Sequence, residues 1–261
     1  MRLHVRDQVS STMDVAREEV LSGRIRFNEQ GIPDPAGIVA RSQLAGRGQR
    51  GRVWYSAAGE SLAATYFLKC AGGPQTAGQL AFVAALAVIE ALESQLQLRL
   101  SQSPEPGTSP RIGIKWPNDI MLNGKKAGGL LIEVVGQQGA WTALIGCGVN
   151  VHSQKLPQGL AIRSTSLAME GVTGCSIMEI AEAAAVSLHR WEAVRAEEGF
   201  SKILSHWREH DETSGRFFET ELNGKVVVGL AEGVDDSGAL RIVSADGGEV
   251  AVRSASSLVE L

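Results

Sequence analysis

The apolar residues of this 261-residue chain change their spacing once, at Ser214-Gly215, and that change constrains the fold more than any single motif. Before it, helical and strand-like stretches alternate. Leu80, Val83, Ala84, Ala87, Ala91 and Leu92 recur at helical spacing between Gln79 and Leu98. Ile177, Ile180, Ala184, Leu188 and Trp191 repeat the pattern, and Phe200, Ile203, Leu204 and Trp207 share a further helical face. Gly37 to Ala40, Ser61 to Lys69 and Leu130 to Val135 have strand length and composition. After the change only short strands remain, at Arg216 to Leu222, Lys225 to Leu230, Ala239 to Val243 and Glu249 to Val252. They are divided by the turn formers Asn223-Gly224, Asp236-Ser237-Gly238 and Asp246-Gly247-Gly248. The expected organisation is a mixed helix-and-strand domain over residues 1–215 followed by a small β-barrel-like module over 216–261.

Ser11-Thr12-Met13-Asp14 carries an N-cap signal, so a helix is expected to start at Thr12. Asn28 to Pro35 reads as a loop, and Ser101 to Pro110, with three prolines, as an exposed connector. Hydrophobic residues make up 44% of the chain and charged residues 21%, the balance of a globular protein. A net charge of -4 gives no general attraction for DNA. No run approaches the roughly 20 apolar residues that cross a bilayer, so no membrane partner and a cytoplasmic location are expected. Cys70, Cys147 and Cys175 lack metal-type spacing and read as reduced, mostly buried thiols.

Gly46-Arg47-Gly48-Gln49-Arg50-Gly51-Arg52 holds three glycines and three arginines directly after a strand. Glycines let backbone N–H groups approach a ligand, and arginines donate in pairs to phosphate or carboxylate oxygens, so the loop points to a phosphorylated anion. The spacing also satisfies the dinucleotide fingerprint G-x-G-x-x-G. That motif needs a helix to begin inside the loop, whereas Val53-Trp54-Tyr55-Ser56 favours extended structure. The alternative is a solvated turn, which would need acids to compensate its arginines.

A second constellation begins with the strand-like Ile112 to Lys115. Trp116-Pro117-Asn118-Asp119 forces a turn that presents Lys115, Asn118 and Asp119 at the strand end. Asn123-Gly124 is a hairpin signal, so Lys125 and Lys126 should return beside that turn. Attack of a carboxylate on the α-phosphate of ATP needs such cations, and a metal, usually magnesium, to help pyrophosphate leave.

Taken together these blocks resemble the biotin protein ligases. The resemblance rests on Ser11-Thr12, then Gln43 with Ala45 to Gly48 and Arg50 to Trp54. Lys115 to Asp119 with Lys126, Gly128, Gly129 and Glu133 follow, and Gly146-Cys147-Gly148-Val149-Asn150 completes the order. It implies an α+β fold in which a catalytic domain with a central mixed β-sheet flanked by helices precedes a small SH3-like C-terminal β-barrel. It also implies that biotin and MgATP give biotinyl-5'-AMP and pyrophosphate, after which a lysine of a biotin carboxyl carrier domain takes the biotinyl group. On that resemblance Ser11, Thr12, Gln43, Gly46, Arg47, Gly128 and Gly129 fall on the biotin side. Gly48, Gln49, Arg50, Arg52, Trp54, Asn118 and Asn150 fall on the ATP and adenylate side. Lys126 serves both and joins Asp119, Arg50 and Arg52 as catalytic, while no residue is assigned to the metal. Two departures stand out. Gln49 replaces a frequent arginine, which puts adenylate retention in question, and Met13 replaces a common asparagine.

Some members add an N-terminal DNA-binding domain, for which the early Ser11-Thr12 block leaves no room, and homodimers are frequent. The nearest alternative is a lipoate or octanoate transferase of the same fold. A zinc peptidase is suggested only by His206-Trp207-Arg208-Glu209-His210, where Trp207 belongs to an apolar face. A non-catalytic nucleotide-holding module would leave the lysine and arginines without a task.

Overall fold

The computed structural model describes residues 1–102, 110–137, 140–157, 159, 163–222, 224–253 and 259–261. Its first part contains strands β1 (Leu3–Val9), β2 (Arg26–Phe27), β3 (Pro33–Asp34), β4 (Gly37–Gln43) and β5 (Ser61–Lys69). Strands β6 (Ile112–Lys115), β7 (Asp119–Leu122), β8 (Lys125–Gln137) and β9 (Ala140–Asn150) follow. The helices are α1 (Thr12–Leu21), α2 (Ala77–Gln102), α3 (Ile177–Glu198) and α4 (Phe200–Glu209). A seven-stranded sheet runs in the order β1-β4-β5-β9-β8-β7-β6, with β1 parallel to β4 and every other pair antiparallel.

Strand β5 shows how the layers arise. Eight of its nine residues are buried, because it lies inside the sheet with both faces covered. Leu62, Ala64, Tyr66 and Leu68 join the main core with α2 and α3, while Phe67 joins a smaller cluster with Met13 and Ala16 of α1. The ten-residue α1 is too short to cover its whole face of the sheet. The uncovered part becomes the floor of a cavity.

Ser11 caps α1 by accepting a hydrogen bond from the Met13 N–H, as its sequence signal predicts. Asn123 and Gly124 both take positive φ angles, 49° and 76°, and Leu122 pairs with Lys125 across a two-residue hairpin. Two sequence expectations need correction. Residues 28–35, read as loop, include the short strand β3, which pairs with β2. Helix α2 is long and apolar enough by length and composition to cross a bilayer, which the sequence reading did not allow, but here it lies in the main core against α3. The connector expected at 101–110 falls mostly outside the described residues.

The last part is an antiparallel sheet in the order β13-β12-β11-β10-β14, formed by β10 (Phe217–Leu222), β11 (Lys225–Val234), β12 (Leu240–Ser244), β13 (Glu249–Val252) and β14 (Val259–Glu260). Phe218, Ala231, Leu240, Ile242 and Val252 belong to the same core as α2 and α3. Trp116 fastens the two sheets together, its indole N–H donating to the Gly238 carbonyl at 2.9 Å and its backbone N–H to Thr213 Oγ1 at 2.7 Å. Strands β1 and β14 have no counterpart in the sequence reading.

Candidate active site

The uncovered sheet face opens into a cavity of about 730 Å³, within the range of small-molecule sites. Its floor is made by facing residues of β8 and β9, where Gly129 pairs with Gly148 and Leu131 with Gly146. The glycines leave room for two large side chains. A Cβ on Gly146 would lie 2.9 Å from Met13 Sδ, and one on Gly148 only 2.5 Å from Trp54 Cε2. The Trp54 indole is thus laid flat on a glycine surface.

At the α1 end the polar groups form one chain. Thr65 Oγ1 donates to Thr12 Oγ1 at 2.9 Å, and Gln43 Oε1 accepts from the Thr12 backbone N–H at 2.8 Å and its hydroxyl at 3.2 Å. Gln43 Oε1 is therefore committed, which fixes the orientation of its amide. Ser11, Thr12 and Gln43 all line the cavity, with Met13 beside them.

The Gly/Arg segment is a tight loop rather than a helix start. The Trp54 N–H donates to the Gly46 carbonyl at 2.9 Å, the Gly48 N–H to the Arg52 carbonyl at 2.7 Å, and residues 49–51 make one turn of 3-10 helix with Gly51 at φ 71°. No dinucleotide-type helix follows, as Val53 to Ser56 predict. Arg47 is held 2.9 Å from Asp14 of α1 and 3.6 Å from Glu133 of β8, so acids do compensate it and it ties the loop down. Arg47, Gly48, Gln49, Arg52 and Trp54 line the cavity. Gly46 does not, and its place is set instead by close packing, since a Cβ there would meet the Trp54 carbonyl at 2.6 Å. The side chain of Arg50 lies outside the described residues.

Hairpin β6–β7 and strand β8 supply the charged centre. Asp119 pairs across the hairpin with Lys115, and Lys126 Nζ lies 2.5 Å from Asp119 Oδ1. The same ammonium stands 5.9 Å from the centroid of the Trp54 ring, within cation–π range. The two asparagines are used structurally, with Asn118 Nδ2 donating to the Leu130 carbonyl and Asn150 Nδ2 to the Thr165 carbonyl. Both residues line the cavity. Gly129 lines the cavity, whereas Gly128 faces away and packs against the Gly148 carbonyl. Burial pushes the Cys147 thiol up to about 12, so this lining residue is an inert wall.

Several lining residues escaped the sequence reading. Arg163 and Ser164 reach the cavity because their segment bridges to β8 at Lys126, a pairing that no local pattern announces. Arg216, just ahead of β10, and Val259 and Glu260 of β14 also reach it, all more than sixty residues beyond Asn150, where the last block of the resemblance ends.

One cavity therefore holds a polar group built on Thr12 and Gln43, and a lysine–aspartate pair beside a glycine-floored indole platform. Comparison with known proteins gives this geometry its family. Residues 5–150 match the Biotin/lipoate A/B protein ligase family, and residues 218–256 match the biotin protein ligase C terminal domain. The chain is 35% identical over 216 residues to a protein of Paracoccus denitrificans named "Biotin--[acetyl-CoA-carboxylase] ligase", covering 80% of this chain and 85% of that one. A biotin protein ligase from Aquifex aeolicus, solved with biotin and ATP, shares the fold at a TM-score of 0.79 and 22% identity, covering 100% of this chain and 99% of that one. The enzyme of Leishmania major, solved with biotinyl-5-AMP, follows at a TM-score of 0.62 and 25% identity, covering 96% and 98%. With both parts of the chain matched and a relative of this similarity along most of its length, the chain belongs to the biotin protein ligases.

Proposed function

We propose that this chain activates biotin with ATP to biotinyl-5'-AMP and transfers the biotinyl group to a lysine of a biotin carboxyl carrier domain, that of acetyl-CoA carboxylase. The carrying observation is the position of Lys126. Its ammonium stands beside both Asp119 and the Trp54 platform in the cavity that Thr12 and Gln43 also line, where a carboxylate and an α-phosphate would meet. In the first step a biotin carboxylate oxygen bonds to the α-phosphorus while the bond to the β-phosphate oxygen breaks, and pyrophosphate leaves. Lys126 stabilises the charge gathering on the α-phosphate oxygens, and Asp119 keeps the ammonium in place. In the second step a neutral carrier amine bonds to the acyl carbon, the bond to AMP breaks, and the amine loses a proton.

Thr12 and Gln43 form the biotin end, with Ser11 as the helix cap that holds them there, and Leu131 and Met13 give the ring system an apolar floor. Gly48, Gln49 and Arg52 face the phosphates, and Trp54 carries the adenylate. Among the described residues the buried Trp54 indole N–H has no hydrogen-bond partner. Among the described residues no group of three or more His, Cys, Asp or Glu could hold a metal alone. That fits magnesium, which keeps its waters and binds through phosphate oxygens and one or two carboxylates. Asp119 would hold it, and its chemistry would be to neutralise the departing pyrophosphate.

The C-terminal match over residues 218–256 favours biotin over lipoate or octanoate. The reading divides the chain into a catalytic domain over 1–215 and a C-terminal domain over 216–261, and sets the work in the cytoplasm, where ATP is supplied. Pyrophosphate release measured with biotin, lipoate and octanoate in turn tests it. Turnover with biotin is expected, and turnover only with the other two acids would overturn it.

A further inference from the structure

An alternating series of charges leads from the junction of the two sheets into the cavity. Arg111 lies 3.2 Å from the buried carboxylate of Glu212, and Glu212 lies 3.0 Å from Arg216. Arg216 Nη1 donates to Glu260 Oε1 at 2.8 Å, and Lys115 Nζ donates to Glu260 Oε2 at 2.7 Å. Glu260 thus spends one oxygen on each cation. Lys115, Arg216 and Glu260 all line the cavity, and Lys115 is the cross-strand neighbour of Asp119 at its charged centre.

The surroundings hold this assembly tightly. Lys115 Nζ lies 5.3 Å from the Phe218 ring centroid, and Glu260 is paired in register with Phe218 through β14 and β10. Burial alone would raise the Glu260 carboxyl, but hydrogen bonds from Lys115 and Arg216 outweigh it and hold the group below the ordinary carboxylate range. An ionised Glu260 leaves two donors on the Lys115 ammonium and further N–H groups on Arg216 for a second anion.

We infer that Glu260 is a positioning residue that aligns Lys115 and Arg216 in the cavity wall to receive the triphosphate. The inference rests on the ligase reading. Without Glu260 the two cations repel each other and turn away, and their joint grip on a polyanion is lost. The effect should be confined to the nucleotide, because the Thr12–Gln43 end shares no partner with this series.

Glu260→Gln keeps the size of the side chain and removes its charge. Titration calorimetry with ATP alone, and separately with biotin alone, compares the variant with the unaltered protein. ATP binding is expected to weaken about tenfold, the order of a lost hydrogen bond to a charged group, with biotin binding unchanged. In steady state the KM for ATP should rise more than kcat falls, and Glu260→Asp should recover part of the loss. Unchanged or tighter ATP binding overturns the inference, as does equal weakening for both ligands, which would mark Glu260 as a merely structural group. Failure of the unaltered protein to turn over biotin would instead overturn the ligase reading, so the two failures are separable.

Discussion

Gly148→Ala is the smallest change that should disable the nucleotide platform while leaving the charged centre chemically intact. The added Cβ would lie 2.5 Å from Trp54 Cε2, 2.7 Å from Nε1 and 2.9 Å from Cζ2, whereas ordinary contact begins at 3.4 Å. The indole must therefore retreat by roughly 1 Å, and because the Trp54 N–H is bonded to Gly46, the Gly/Arg loop is drawn with it. A misplacement of that size costs on the order of 100-fold in rate when it falls between reacting groups. The strain of overpacking is about 1–3 kcal/mol, so a protein of ordinary stability stays folded. Pyrophosphate release with saturating biotin and varied ATP is the assay, with thermal unfolding as the control. Gly146→Ala makes the comparison sharper. Its Cβ would meet Met13 Sδ at 2.9 Å, the end of a flexible side chain, so a smaller loss, felt through biotin, is expected. A kcat/KM for ATP in Gly148→Ala equal to that of the unaltered protein would refute the platform.

Other expectations follow from single groups. Gln49→Arg adds a charged donor to the cavity wall and should slow the dissociation of biotinyl-AMP by about tenfold, and equal dissociation rates would dismiss that role for position 49. Cys147, with its thiol pushed up to about 12, should resist alkylation at pH 8 in the native protein and react only after unfolding, as peptide mapping would reveal. The Glu260 carboxyl is lowered from its usual 4.5, so its contribution to stability is complete above that value and is lost as pH falls through the lowered native value. Urea midpoints of Glu260→Gln should fall less steeply than those of the unaltered protein in that acid range.

Legibility followed distance along the chain. The Asn123-Gly124 turn, the Ser11 cap and the Ser61–Lys69 strand were readable because backbone dihedrals and local side-chain bonds decide them. The resemblance supplied most of the cavity wall, from Ser11 to Asn150. It could not foretell that Arg47 would be spent on Asp14 and Glu133, nor that Asn118 and Asn150 would each give an amide to a backbone carbonyl, because those pairings depend on packing. Strand β1 escaped because Leu3–Val9 is an edge strand whose exposed residues, Val5 to Gln8, are mostly polar, which leaves little apolar signal. Glu260 escaped for a different reason. It belongs to the two-residue strand β14, and only the folded register brings it to Lys115.

The role given to Lys126 is the centre of the account, and transfer to a carrier tests it most directly. A biotin carboxyl carrier domain incubated with biotin, MgATP and this protein, then weighed by mass spectrometry, should gain one biotinyl group. The gain should vanish without ATP and with Lys126→Ala, while that variant still unfolds cooperatively. Biotinylation that persists in Lys126→Ala at the unaltered rate would contradict the assignment.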